Sequence, residues 1–186
     1  MTPLVNRWTS MHRNQNVVED VAIRYSETKD QIFQIPLYDI RNFRKLIQQQ
    51  FADLSKFIYF DFVEDHPYGY EEVKELMHDF RSGVIKVNVS GNTSRLWSPF
   101  YNLAFRAIHD YIHCLHNLDF HFNHEVKAYH HQLDFSFSDR YTKKFPYMNW
   151  QLYANVLRSE IVYQAAVKTH FKLFDLDTQK IILTDL

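Results

Sequence analysis

The chain has 186 residues, of which 46% are hydrophobic and 17% aromatic, so it suits one globular domain with a real core and is too apolar for a disordered protein. Three glycines and five prolines leave little material for a turn-rich β-sandwich, so the composition favours helices. A formal net charge of −1 gives no sign of a basic surface for a nucleic-acid backbone, and we expect a small molecule or a nucleotide as the partner.

Three features bear on the location of the protein. The single cysteine, Cys114, excludes an intrachain disulfide framework and suits a reducing compartment. The N-terminal segment MTPLVNRWTSMHRNQ lacks the apolar run of a signal peptide, and no stretch approaches the ~20 apolar residues that span a bilayer. We therefore expect a cytoplasmic protein that does not enter membranes.

In chain order, the first clear periodic pattern begins at Asp39. Before it, residues 1–38 contain two apolar segments, VVEDVAIRYSE and QIFQIPLY, which fit either short strands or an irregular N-terminal arm. From Asp39, apolar residues recur at helical spacing through DIRNFRKLIQQQFADLSKFI, and Asp39 is a natural N-cap. This pattern predicts an amphipathic helix over 39–58, which the segment FDFVEDHPYGY then interrupts.

The rest of the chain adds more helices and one strand. EEVKELMHDF (71–80) fits a helix that Gly83 ends, and VIKVNVS (84–90) alternates as a strand does. Pro99 suits the first turn of a helix over 99–117, and a long helix is predicted over 148–174. Together these elements predict a mainly α fold, a single helical domain over 1–186 with a small β-strand or hairpin element near residues 84–95.

The most unusual segment runs from Arg106 to His131 and holds seven of the 11 histidines. Two of them, His109 and His113, are four residues apart on the predicted helix. Side chains at this spacing lie on one face and can bind one ion together. A histidine-rich helix edge that simply faces water is the alternative.

Acidic residues near these histidines extend the candidate site. Asp110 lies about a quarter-turn from the histidine face, where it can bind a second ion, orient a ligand histidine or pair with Arg106. Glu125, in a predicted helix HEVKAYHHQ, is the preferred further ligand or the general base. His131 is a candidate for a supporting position behind the ligands, and most of the other histidines are expected at the surface.

The predicted C-terminal helix supplies a carboxylate from a distant part of the chain. Glu160 and Gln164 lie at the centre of its apolar stripe and not on its polar edge. An ionised carboxylate aimed into a core is costly unless it is paired or bound to a metal. We therefore predict Glu160 as a metal ligand with Gln164 beside it, and a buried ion pair of Glu160 is the alternative.

Two resemblances to known families add to these observations. His109-Asp110 followed by His113 resembles the HD-type metal phosphohydrolases, in which a His-Asp doublet on a helix binds metal. That resemblance implies an earlier ligand histidine, for which His78 is available. It also implies a later aspartate, for which the candidates are Asp119, Asp134 and Asp139. The intervening VIKVNVSGNTSRLWSP departs from the family because it fits a strand and a turn, not two packed helices.

A larger part of the chain, roughly residues 65–165, is similar to a family of bacteriophage-encoded proteins of no assigned activity. The chain departs from that family at Ile112 and His124, where the family usually has glycine. The similarity implies that His109, His113, Glu125, Glu160 and Gln164 belong to one site. It also implies that the protein works in the cytoplasm of a host cell. The matching residues are Asn102, Phe105, Arg106, Ala107, Ile108, His109, Asp110, His113, Glu125, Glu160 and Gln164.

A site of imidazoles and carboxylates without thiolate suits a divalent zinc, manganese or iron ion. The favoured hypothesis is a metal-dependent hydrolase that acts on a phosphoester or nucleotide through a metal-bound water. The alternatives are a non-haem iron oxidase or oxygenase, and a non-catalytic phage accessory or inhibitor protein with a structural His/Glu cluster. The predicted ligands are His109, His113, Glu125 and Glu160, supported by Gln164 and His131. The predicted catalytic residues are Asp110, Glu125 and Arg106.

Overall fold

Helices dominate the computed structural model, which describes residues 15–64, 73–92, 94, 96–172 and 179–186. Within these ranges the β structure is one two-stranded sheet. The prediction of a mainly α fold with a small β element is therefore confirmed. None of the helices in the described part of the chain combines the length and the apolarity needed to cross a bilayer.

The chain enters the fold as helix α1 (Gln15–Glu27), which a short 3₁₀ turn at Ile32–Gln34 follows. The prediction of strands or an irregular arm was wrong for these residues, while residues 1–14 lie outside the described part. The missed signal was a helical repeat of apolar pairs in VVEDVAIRY. Its buried members are Val21, Ala22 and Tyr25.

Helix α2 spans Leu37–Leu54 and follows Pro36, so it begins two residues earlier than predicted. Asp39 consequently lies in the first turn, where a negative charge stabilises the helix dipole, and is not the N-cap. The segment that follows α2 was assigned to an interruption, but it contains strand β1 (Tyr59–Val63).

Strand β1 pairs with a second strand, β2 (Val84–Asn88), in parallel. Parallel neighbours need a crossover connection, and helix α3 (Val73–Arg81) supplies it. Gly83 follows α3 with a φ of +80°, which explains why glycine ends this helix as predicted. The predicted strand is confirmed, and its partner lies before α3 and not in a hairpin after it.

Helices α4 (Pro99–His116) and α5 (Phe122–Ser136) form the centre of the molecule, and a short α6 (Asp139–Thr142) follows them. Helix α4 packs against α2, α3, α5 and β2. It ends at Asn117, whose left-handed backbone conformation (φ 52°) turns the chain back toward α5.

The predicted C-terminal helix is present but is not a uniform α-helix. It consists of α7 (Trp150–Arg158), a π-helical turn (Ser159–Tyr163) and α8 (Gln164–Phe171) without a break. A π turn inserts an extra residue into the helical repeat and occurs often at functional sites. The apolar periodicity of the sequence gave no sign of it.

The last described residues, 179–186, form a segment that we call the C-terminal strap. It runs beside α1 and the π turn, where the Gln31 amide donates to the Ile181 carbonyl and the Tyr25 hydroxyl donates to the Lys180 carbonyl. Ile181 and Ile182 are buried in the main hydrophobic core. The strap therefore joins α1 and the segment after it to the helix that carries Glu160.

Candidate metal centre

Helices α4 and α5 bring together the side chains of His109, His113 and Glu125, which we call the His–Glu triad. The Nε2 atoms of the two histidines are 3.0 Å apart. Glu125 Oε2 lies 3.0 Å from Nε2 of His109 and 3.4 Å from Nε2 of His113. Among the described residues, this is the one group of three such side chains whose ligand atoms all lie within 4.8 Å of one another.

The local structure fixes both imidazole rings. The two histidines lie one turn apart on α4, and Glu125 enters from the first turn of α5. Phe105 stacks on His109 at an interplanar angle of 6°, and the Phe120 ring lies 4.7 Å from that of His113. Because these rings pack against aromatic side chains, their Nε2 atoms are held in place before any ligand arrives.

Contacts behind the triad favour one tautomer of each imidazole. His113 Nδ1 lies 3.3 Å from the Leu118 carbonyl oxygen, which can only accept, so Nδ1 must be the donor. His109 Nδ1 lies 3.1 Å from Gln132 Oε1, another acceptor. In the neutral form of each ring, the lone pair is then on Nε2 and points into the triad.

Three electron-rich atoms thus converge with no hydrogen atom of their own between them. Ligand atoms that bind one ion at about 2.0–2.1 Å in tetrahedral or octahedral geometry lie about 3.0–3.4 Å apart, which is the spacing seen in the triad. The supporting acceptors behind both histidines are also typical of metal sites. The triad can therefore hold a metal ion.

The electrostatics of the triad indicate where it holds a proton. Burial raises the pKa of Glu125, but the adjoining imidazoles outweigh it and hold the pKa at about 2. Burial lowers the pKa of His109, and the Glu125 carboxylate more than reverses that effect. Without an ion, the triad therefore favours one proton between His109 and Glu125.

Asp110 lies beside the triad without joining it. Burial raises its pKa to about 6, while the charges of His109, His113 and Arg106 act in the opposite direction. Its carboxylate is not among the ligand atoms that converge on the candidate ion position. Asp110 thus interacts electrostatically with both imidazoles, and its predicted catalytic role stays a prediction.

A cavity of about 270 Å³ lies between α4, the start of α5 and the C-terminal helix. Glu160 and Gln164 face this cavity together with two members of the triad, although Glu160 is outside the triad itself. Gln164 Nε2 donates to Glu160 Oε2 at 3.2 Å. The role of Glu160 as a ligand stays a prediction. The charged, imidazole and amide side chains among the described residues that line the cavity are Asn102, Arg106, His109, Glu125, Glu160, Gln164, Lys168 and Gln179.

Arg106, at the edge of the cavity, forms hydrogen bonds to the backbone that follows β2. Its Nη1 donates to the carbonyls of Asn88 and Ser90 at 2.8 and 2.9 Å, and its Nη2 donates to that of Gly91 at 2.9 Å. These bonds hold the turn after β2. A guanidinium has five N–H groups, so two donors remain after these three bonds.

Other predicted positions lie away from the triad. His131 stacks on His116 with ring centroids 3.5 Å apart. The side chain that contacts Nδ1 of His109 belongs to Gln132, the residue after His131. Gln132 shares a helix face with Glu125 because it follows seven residues later, which is the signal that could have identified it. His78 is exposed on α3.

Comparison of the chain with models of known protein families, with curated proteins and with solved structures gave no match. What the protein can do is therefore inferred from the geometry of the triad and of the cavity beside it.

Proposed function

We propose that the protein is a metal-dependent hydrolase in which the His–Glu triad binds a divalent zinc, manganese or iron ion. The observation that carries this proposal is the direction of the imidazoles. Both Nδ1 atoms have acceptors behind them, so both Nε2 lone pairs point at the same place as the Glu125 carboxylate. A purely structural histidine pair gains nothing from facing two lone pairs at one another, whereas a cation satisfies all three atoms.

Three protein ligands leave at least one coordination position for water or substrate. Two of the ligands, His109 and Glu125, also line the cavity, so an open position on that side is accessible to a small molecule. A water bound there becomes a hydroxide-like nucleophile near neutral pH. The proposed acceptor for the proton that this water would release is Glu125 or Asp110, and of the two Glu125 lines the cavity.

A phosphoester is the substrate class that the cavity supports best. Arg106 lines the cavity with donors left over from its backbone bonds, and a guanidinium fixed in this way is suited to phosphate oxygens. Lys168 lines the same cavity and adds a second positive charge. A volume of about 270 Å³ admits a compact ester or part of a nucleotide.

A second candidate function has a specific observation in its favour. Two histidines and one carboxylate on one side of an ion also form the facial triad of non-haem iron oxygenases. The His–Glu triad has this composition. An oxidase or oxygenase would use the open positions for oxygen and would require iron.

Metal content and hydrolysis, measured on protein purified without an affinity tag, test the proposal. We expect about one zinc, manganese or iron ion per chain, and turnover of p-nitrophenyl phosphate by the loaded protein. His109→Ala should lose both. His78→Ala is the matched control, because it removes an exposed histidine outside the triad and should lose neither.

Each contrary result has a distinct meaning. Equal metal content in His109→Ala and the wild type would place the ion elsewhere and overturn the site. An oxygen-reactive iron centre without hydrolysis would favour the oxygenase. A protein that takes up no metal would favour a non-catalytic accessory or inhibitor protein with a structural cluster.

A further inference from the structure

The π turn that carries Glu160 is fastened at both ends to the C-terminal strap. At its start, Ser159 Oγ donates to the Lys180 carbonyl at 3.0 Å and accepts the Ile182 amide at 2.9 Å. At its end, the Tyr163 hydroxyl donates to the Thr184 carbonyl at 3.1 Å. A π turn is less stable than an α turn and persists where the surroundings hold it. The strap is what holds this one.

This anchoring fixes the direction of Glu160. Residues 159 and 163 are held against the strap, and Glu160 lies between them with its side chain on the cavity. Successive side chains of an α-helix are rotated by ~100° about the helix axis. Loss of the π turn would therefore change the angle between the directions of Glu160 and Gln164. The fold thus maintains an irregular turn at the point where a carboxyl meets the cavity.

The surroundings of Glu160 lack a close positive charge. Within the described ranges it makes no ion pair, and its hydrogen bond comes from the neutral amide of Gln164. Arg106 on α4 and Asp30 after α1 interact electrostatically with Glu160. Lys168 lines the same cavity. Burial raises the pKa of Glu160 to about 7, and Asp30 adds to that effect, while the Gln164 bond and Arg106 act against it.

We propose that Glu160 is the general acid of the hydrolysis and donates its proton to the leaving oxygen of the ester. This inference rests on the proposed function. One cavity holds two carboxyl groups with opposite surroundings, Glu125 against two imidazoles and Glu160 against a neutral amide. Such a division keeps one carboxyl ionised and the other protonated, as general acid–base catalysis requires.

In the proposed step, a water on an ion held by His109, His113 and Glu125 would supply the oxygen that bonds to phosphorus, while the bond from phosphorus to the ester oxygen breaks. The ester oxygen takes the carboxyl proton of Glu160 and leaves as an alcohol. The proton that the attacking water released returns the Glu160 carboxylate to its acid form, so the products are one alcohol and one phosphate.

The test compares two esters with different leaving groups on the metal-loaded, full-length protein. p-Nitrophenolate leaves without help, whereas the more basic phenolate of phenyl phosphate needs a proton. Glu160→Gln should therefore lower kcat for phenyl phosphate by about 100-fold and for p-nitrophenyl phosphate by less than about 10-fold. Glu19→Gln, an exposed glutamate on α1, is the matched control and should change neither.

The pH profile supplies a second measurement that a structural role would not move. An acid must be protonated to act, so wild-type kcat for phenyl phosphate should fall as the pH rises through the pKa of Glu160. Glu160→Gln should abolish that decline. A profile that keeps the same decline in the variant would overturn the proposal.

The remaining outcomes separate the proposed acid from the proposed function. Equal losses on both esters would make Glu160 a substrate-binding residue, and loss of metal would make it a ligand; either overturns the acid role alone. If the metal-loaded wild type hydrolyses neither ester, the hydrolase proposal and the acid role fall together.

Discussion

Two buried carboxylates, Asp53 on α2 and Glu125 on α5, have opposite surroundings. Asp53 accepts a hydrogen bond from Lys56 Nζ at 2.8 Å, forms an ion pair with Arg140 Nη2 at 2.7 Å, and lies 3.4 Å from the Tyr141 hydroxyl. All three neighbours are donors. Glu125 instead faces two imidazole nitrogens whose partners behind the rings are acceptors.

The difference teaches how to tell a structural cluster from a candidate site. The cluster around Asp53 is complete, because the chain itself supplies the charge and the hydrogen atoms that a buried carboxylate needs. In the His–Glu triad, three acceptor atoms face one another without a hydrogen atom between them. The triad therefore needs a shared proton or a cation from outside the chain. Both side chains are largely removed from solvent, with 4% of Asp53 and 13% of Glu125 exposed, so exposure alone does not identify the candidate site.

The largest expected effect separates the two carboxylates directly. Glu125→Gln should weaken metal binding by at least about 1,000-fold, more than the about 10–100-fold typical of a supporting residue, because it removes the only anionic ligand of the triad. Asp53→Asn should leave the affinity unchanged. Calorimetric titration of each metal-free variant with zinc measures both. Equal losses in the two variants would break the comparison.

A smaller effect is expected from the residue behind His109. Gln132→Leu removes the acceptor that keeps the lone pair on Nε2, so zinc affinity should fall by about 10–100-fold. The same titration measures it. Gln50→Leu is a matched control, since Gln50 is equally buried and bonds Ser136 instead of a triad member. An unchanged affinity in Gln132→Leu would show that the tautomer of His109 is set by something else.

The third effect concerns stability. Asp53→Ala should lower the free energy of unfolding by about 1–3 kcal/mol, less than for a fully buried ion pair, because its two cationic partners are half exposed and are hydrated once it is gone. Urea unfolding at neutral pH measures the change. A change below about 0.5 kcal/mol would mean that the cluster around Asp53 contributes no more than an exposed ion pair.

Much of the site could be predicted from the sequence because it depends on helical periodicity. His109 and His113 follow from a spacing of four residues, and the long helix with Glu160 follows from its apolar stripe. These features are local, and local spacing fixes which side chains share a face. Glu125 was named as the preferred further ligand or the general base, but the sequence did not show that its helix packs against α4. Which helices pack together depends on contacts that periodicity does not encode.

What could not be predicted depends on contacts between distant segments. Strand β1 has few residues and forms only by pairing with β2, on the far side of α3. The π turn is bonded at Ser159 and Tyr163 to strap residues that lie 21 positions further along the chain. The Leu118 carbonyl behind His113 is a backbone group, which any residue would provide. None of these has a signature in composition or spacing.

The smallest expected effect is the pH dependence of the Asp53 cluster. Burial raises the pKa of Asp53, but hydrogen bonds from Lys56 and Gln49 and the charge of Arg140 together lower it below its usual value of 3.8. A carboxyl whose pKa is lower in the folded state stabilises the fold above its unfolded pKa, and that contribution disappears as the pH falls through the folded pKa. The stability difference between the wild type and Asp53→Asn should therefore be constant from pH 7 to about 5 and should shrink below about 4. Urea unfolding of both proteins across this range measures it. A difference that stays constant down to pH 3 would show that Asp53 acts through packing, and the contrast with Glu125 would then be one of shape and not of charge.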